Sequence, residues 1–460
     1  MAVRHGILIA LGALALTAAT PALGESQPSF VGCGGIRPTK PKVEPIFQIS
    51  NGEFTNLGFE CQMWQNFIYV NWPAQPGLRG VPNKQAPFGA TGPTVWETYK
   101  TIDQVFLPGA ANPGSWDVIK HPATLAAKLS AQVSSGSLRV LKMDSKVSRA
   151  VLANVARQGA SLDPTVLNAI TQAAGGTLYD LAGNPVYYEV AMNRDEYEYI
   201  VQNGLYNANT QATFAQTTDI VLPSGKTQYG EYGALEVKAA WKILNAAEAK
   251  SGRFHTVQAL IQGTSALAPA VTVGLVGFHM YLPNIGQGVW ATFAQIDNAP
   301  VVPITGLPIT GTYNFYNTKC GGCPVNVENA NPGQVMQMQP DDQSTPQLNA
   351  YMQAQIKLKA PKSPWQYYKI VNIQWSQTTD DIGKIPAPSI KPLPYGKPPN
   401  DTVLNPVLET FIQQPGNSCL ACHRTATIAS TAANPPMTAY SFVFGAAQTP
   451  PSNQQLPAKQ

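Results

Sequence analysis

The chain alternates short apolar runs with clusters of Pro, Gly and Asn, a punctuation that predicts many short elements. Its densest apolar run, residues 61–72, reads Cys-Gln-Met-Trp-Gln-Asn-Phe-Ile-Tyr-Val-Asn-Trp and is closed by Pro73. This is a buried helix or strand, since periodicity does not separate the two in so aromatic a segment. Asp163-Pro164 before an apolar stretch is a clearer helix start: Asp can cap free N–H groups, and Pro at the first helical position gives up no hydrogen bond. Residues 178–180 and 186–190 flank the turn Ala182-Gly183-Asn184-Pro185 and read as a hairpin. Asn193 is placed to cap a helix that stops at Asn203-Gly204.

Further strands are expected at residues 235–238, 256–261 and 271–278, with a short helix near residues 290–296. The fold class that follows is α+β, a β-rich globular body with short helices. Residues 384–406 carry Pro386, Pro388, Pro392, Pro394, Pro398, Pro399 and Pro406, which leaves an extended connector. Beyond it, Asn405 and Pro406 open a short helix over residues 407–414, broken by Pro415-Gly416.

The N-terminal pattern sets the expected compartment. Arg4 and His5 precede an apolar run at residues 6–19, and Ala22-Leu23-Gly24 offers small residues for cleavage. That is the layout of a secretory signal peptide, and the run falls short of the roughly 20 residues of a spanning helix. Cleavage near Gly24 would leave a periplasmic protein with no membrane span: a body at residues 25–383, the connector at 384–406 and a C-terminal segment at 407–460. A net charge of +4 with no long basic run argues against a nucleic-acid partner.

Candidate chemistry concentrates near the C-terminus, where Cys419-Leu420-Ala421-Cys422-His423 matches C-x-x-C-H. Two thiols at this spacing can add to the two vinyl groups on one edge of a porphyrin, and the adjacent His then reaches the iron. With 6 Cys and 5 His in 460 residues, chance would produce this pattern about once in a thousand chains of this composition. The expectation is one covalent haem c on Cys419 and Cys422, with His423 as proximal ligand. No second Cys/His pair stands close enough in sequence to complete tetrahedral zinc. Cys320-Gly321-Gly322-Cys323 has the same cysteine spacing but Pro324 in place of the ligating His, and residues 324–327 look extended. It reads as a structural disulfide. Cys33, Cys61, Cys320 and Cys323 allow three pairings, of which Cys33–Cys61 with Cys320–Cys323 is preferred.

The sixth iron ligand decides between electron transfer and chemistry on a bound substrate. Histidine candidates are His121, His255 and His279. His279 is slightly favoured because it ends a strand whose Gly274 and Gly277 would let a flat group approach closely. Met437, in Pro435-Pro436-Met437, is the alternative, and Met280, Met336 and Met338 are weaker ones. Residues 424–460 are too few to enclose a haem alone, so the pocket must be shared with the body. Glu97, Glu236, Lys238 and Asp297 stand inside aromatic segments and read individually as surface charges or structural partners.

Several blocks carry a resemblance: Trp64 with Asn71-Trp72-Pro73, Gly92-Pro93 with Val95-Trp96-Glu97-Thr98, and Tyr188-Glu189-Val190 with Asn193. The others are Glu236-Val237-Lys238-Ala239-Ala240-Trp241, Gly274-Leu275-Val276-Gly277-Phe278-His279, Trp290 and Phe293 with Asp297-Asn298-Ala299-Pro300, and Glu409-Thr410-Phe411 before Ser418-Cys419 and His423. Together they resemble exported bacterial monohaem proteins of the cytochrome c family. The resemblance implies haem binding and electron transfer with a redox partner protein, and names no substrate. The alternative is a haem enzyme of peroxidase or oxygenase type, or a haem-based ligand-binding protein, motivated by a body larger than electron shuttling requires.

Overall fold

The aromatic run that sequence periodicity left undecided is a helix, α1 (Asn56–Val70), with Trp64, Phe67 and Ile68 fully buried. Asn71 ends it by returning its backbone and side-chain N–H groups to the Phe67 carbonyl, and Pro73 prevents its resumption. A computed structural model describes residues 33–39, 56–120, 127–141, 176–225, 228–229, 233–261, 270–283, 288–303, 308–339, 345–375, 404–414, 417–432 and 435–451. The expected signal segment, the helix start at Asp163-Pro164, His121 and most of the Pro-rich connector lie outside these residues.

The architecture is α+β, with short helices around a curled half-barrel sheet. Its strands are β1 (Lys100–Thr101), β2 (Leu138–Leu141), β3 (Tyr187–Met192), β4 (Glu236–Ile243), β5 (Thr256–Ile261), β6 (Val271–Leu282), β7 (Val289–Gln295) and β8 (Tyr368–Trp375). The long strand β6 is the spine. One of its edges runs along β4, while the other is divided between β5, over residues 271–274, and β7, over residues 277–282. β4 continues to β3 and β1, β7 to β8, and β5 to β2, with β2–β5 the parallel pair.

β7 corrects the sequence reading, which expected a helix near residues 290–296. All seven of its residues are buried, because it lies between β6 and β8. A strand covered on both faces shows no apolar alternation, and its apolar run mimics a short buried helix. The hairpin expected at residues 178–190 shrinks to one antiparallel bridge, Tyr179 with Pro185, and β3 pairs with β4 instead. Residues 407–414 make turns and a 3-10 segment, Thr410–Ile412, rather than a regular helix, although Asn405 Oδ1 does accept from Val407 N and Leu408 N. Residues 324–327 are irregular rather than extended, with Asn326 at φ +57°.

Three other helices follow their signals closely or not at all. α2 (Arg194–Gln202) starts at Asn193, whose Oδ1 accepts from Glu196 N; α3 (Ala208–Phe214) starts likewise at Asn207. α4 (Thr345–Lys359) was not expected. Its buried stripe, Thr345, Leu348, Asn349, Met352 and Ile356, has helical spacing but two polar members. Asn349 belongs inside because its amide joins the Ile370 backbone on β8 to the Trp64 indole on α1.

The sheet has two covered faces. On one, Phe278 and Phe293 pack against α1, with Phe67 stacked on Phe293 at 4.2 Å and Trp64 edge-on to it at 5.1 Å. Buried charge is also gathered there. The Arg139 guanidinium forks onto Glu189, which accepts from the Trp241 indole, and His255 pairs with Glu97 at 2.8 Å. The other face receives the C-terminal segment.

Disulfides join Cys33 to Cys61 and Cys320 to Cys323, the preferred pairing, across sequence separations of 28 and 3. Loop-closure entropy grows with the length closed. Cys33→Ser with Cys61→Ser should therefore cost about 3.5 kcal/mol, and the Cys320→Ser, Cys323→Ser pair only about 2 kcal/mol. Urea unfolding of the two double variants checks the order, and equal losses would contradict it.

Candidate functional site

The C-x-x-C-H motif forms a one-turn helix, α5 (Cys419–His423), fixed at its start by three contacts. Ser418 Oγ accepts from Ala421 N at 3.2 Å, the Ser418 carbonyl accepts from Cys422 N at 3.3 Å, and fully buried Gln374 on β8 accepts from Leu420 N at 2.7 Å. Burial, with the Glu409 charge adding to it, pushes the Cys422 thiol up to about 12 and Cys419 well above its ordinary value. Both thiols are thus protonated at neutral pH, unlike the low-pKa thiolate of a redox C-x-x-C.

His423 is held by its Nδ1, which lies 2.6 Å from the Tyr440 carbonyl. A carbonyl only accepts, so Nδ1 carries the proton and Nε2 the lone pair. Tyr440 adopts φ +60° to aim that carbonyl, a left-handed conformation costly for an aromatic residue. Burial, helped by the nearby Lys238 and His279, lowers the His423 pKa to about 4 and keeps the imidazole neutral. Its ring is walled by Phe442 at 4.9 Å, Trp290 at 5.7 Å and Tyr281 at 6.3 Å.

The facing sheet wall is two cross-strand rows. One runs Val190, Lys238, His279, Thr292, Asn372 across β3, β4, β6, β7 and β8. The next runs Met192, Glu236, Tyr281, Trp290, Gln374 on the same face. Glu409, ten positions before Cys419, meets this wall. Its Oε2 accepts from Asn405 N at 2.9 Å and lies 3.2 Å from His279 Nε2. That second contact is an ion-pair distance without hydrogen-bond alignment, so His279 Nε2 has no hydrogen-bond partner among the described residues. Burial would raise the Glu409 carboxyl, but His279 and Lys238 hold it below its usual range. The His279 and Glu409 side chains keep 18% and 16% exposure, so the cluster is reachable from the surface.

The structure thus brings His279 and Lys238 together with Cys419, Cys422 and His423, and sends the other candidates elsewhere. His255 stacks on Trp365 at 4.6 Å and binds Glu97 on the far side of the sheet. Met280 is buried on that same far face. Met336 and Met338 sit in a loop whose backbone is tied to Asn326 and Gln413. Met437 is buried in a hairpin, paired with Thr427, that leads into Tyr440. Asp297 forks with Arg253 near the surface, and Glu97 is a fully buried structural partner.

The glycines near His279 serve a different purpose from the one expected. A Cβ on Gly277 would meet Leu408 at 3.2 Å, and one on Gly274 would meet Leu244 at 2.9 Å and Phe254 at 3.0 Å. Gly277 therefore lets the segment before α5 dock on β6. Glu409, Gln374, Tyr281, Trp290 and Tyr440 were not singled out from sequence as site residues. The signal available was the strand alternation from His279 to Tyr281.

Chemically, two thiols one helical turn apart, an imidazole with Nε2 available and a second imidazole nearby form a donor set for a flat metal macrocycle. Among the described residues, no group of three or more His, Cys, Asp or Glu is arranged to hold a bare metal ion. No family model, curated protein or solved structure matches the chain. The anchoring of α5 is testable without a cofactor. Gln374→Leu leaves the buried Leu420 N–H unpaired and should cost about 1–3 kcal/mol in urea unfolding. Loss of the Ser418 cap in Ser418→Ala should cost about 1 kcal/mol.

Proposed function

We propose that the chain is a periplasmic c-type cytochrome that would carry one covalent haem on Cys419 and Cys422, with His423 and His279 as the residues that would hold its iron, and that it exchanges single electrons with a redox partner protein. The observation that carries this reading is the bond from His423 Nδ1 to the Tyr440 carbonyl. A metal-ligating His characteristically gives its other ring N–H to such an acceptor, which fixes the tautomer and raises ligand basicity. Haem c, when bound, supplies a one-electron Fe(III)/Fe(II) couple.

The protein's own groups prepare that site. Both thiols of α5 lie near Lys238, on the wall that carries His279, and the Gln374 and Ser418 contacts hold its turn in place. Trp290, Tyr281 and Phe442 exclude water around His423, while Lys238 and Glu409 oppose one another's charge beside the thiols. Met437 is less favoured, because its hairpin runs into Tyr440, on the Nδ1 side of His423 rather than the Nε2 side.

Optical spectra of purified protein, oxidised and reduced, with and without carbon monoxide, test the reading. A low-spin spectrum indifferent to carbon monoxide is expected, with a potential below that of His/Met ligation because thioether sulfur favours Fe(II). Cys419→Ala with Cys422→Ala should abolish haem staining on a denaturing gel. His279→Ala should give a high-spin iron open to carbon monoxide, and Met437→Ala should change little. The reverse pattern would make Met437 the ligand. A wild-type iron already high-spin and ligand-accessible would instead favour the haem-enzyme or ligand-binding reading, with His279, Glu409 and Lys238 as acid–base groups.

A further inference from the structure

The sheet wall carries a second cluster that haem attachment does not use. Glu236, at the start of β4 and two positions from Lys238 on the same face, meets the carboxyl of Glu196, the third residue of α2. Both are buried, and among the described residues neither oxygen of Glu196, nor Oε1 of Glu236, has a hydrogen-bond donor. The Ser441 hydroxyl serves Glu236. Ionised carboxylates only accept, so two of them face to face in a buried site share a proton. Burial raises both, Glu236 to about 7 and Glu196 well above its ordinary value.

Among the described residues, no cation acts on either carboxyl. Tyr281 faces the pair from β6, with Tyr440 beside it, and Ser441 meets Glu236 from the C-terminal segment. Asp195, adjacent on α2, is occupied by Gly233 N at 2.6 Å, and Lys238 lies toward Glu409 and the cysteines. The connection to His423 is short. Tyr281 spans from the carboxyls to the imidazole, 6.3 Å between ring centres, and Ser441 directly follows the Tyr440 whose carbonyl holds Nδ1.

Resting on the haem reading above, we propose that Glu196 and Glu236 form a redox-linked proton site, holding one shared proton while the His423-bound iron is reduced and releasing it on oxidation. One electron passes to the acceptor protein as one proton leaves the pair for solvent, and reduction reverses both. The buried region thereby keeps its net charge, because the carboxylate that remains offsets the positive charge gained at the metal.

Redox titration of the holoprotein at a series of pH values tests this, with redox-difference infrared spectra as the second readout. The midpoint potential should fall as pH rises through about 7, and a protonated-carboxyl band should disappear on oxidation. Glu196→Gln with Glu236→Gln should flatten the potential and remove the band while leaving the haem spectrum intact. If the double variant does not fold, Glu236→Gln alone should shift the band and displace the pH dependence. A flat wild-type potential, or a slope and band that persist in the double variant, would overturn the proposal. Protein without covalent haem would fail the cytochrome reading itself. Static infrared pH titration would then show separately whether the pair holds a proton, and no carboxyl band near neutral pH would refute the shared site as well.

Discussion

Because successive side chains of a strand point to opposite faces, β4, β6 and β7 can each offer the C-terminal segment only every second residue. In β6 and β7 the alternate set includes Phe278 and Phe293, which close against Phe67 and Trp64 of α1. What remains on the open face is Glu236 and Lys238, His279 and Tyr281, Trp290 and Thr292. A slip of one residue would put Phe278 against α5 and bury His279 among the aromatics. The aromatic core thus fixes the register, and through it the chemistry of the opposite face.

The same alternation sorts the buried charges. On the α1 face, Arg139 with Glu189 and Glu97 with His255 are matched pairs whose groups find partners close by. Matched burial of that kind chiefly avoids the penalty of an unpaired charge. On the other face the matching is incomplete: His279 and Glu409 approach without good alignment, and Glu196 meets another carboxyl. Such unsatisfied groups are costly in a buried interior.

Legibility in the sequence followed the physics of each signal. β5 was read residue for residue, and α2 was announced by Asn193, because a capping side chain and a half-exposed strand leave local marks. β7 and α4 left misleading ones: a strand buried on both faces loses its alternation, and a helix stripe containing Thr345 and Asn349 does not look apolar. Within the site, Cys419, Cys422 and His423 are covalently local and therefore visible, and His279 was favoured although Gly277 turned out to accommodate Leu408 and Gly274 to face Leu244 and Phe254. Glu409, Gln374 and Tyr440 act only through contacts across the fold, Gln374 lying 46 residues from Leu420, and no local pattern marks them.

The size of the body follows from where the motif sits. The described residues of 404–414, 417–432 and 435–451 form one side of the site and supply both thiols, His423 and Glu409, but the segment is positioned by contacts outside it. Leu420 N needs Gln374 on β8, Glu409 reaches His279 on β6, and Leu408 needs the space left by Gly277. Further along, Gln211 on α3 donates to the Phe444 carbonyl and accepts from Ala429 N, and Ala439 N donates to Ile220 O. These contacts tie down the loop that ends in Tyr440, so the strained carbonyl that selects the His423 tautomer is held by the body as a whole. A shorter chain could keep the five-residue motif, but it would lose the second wall and the constraint on Tyr440 together.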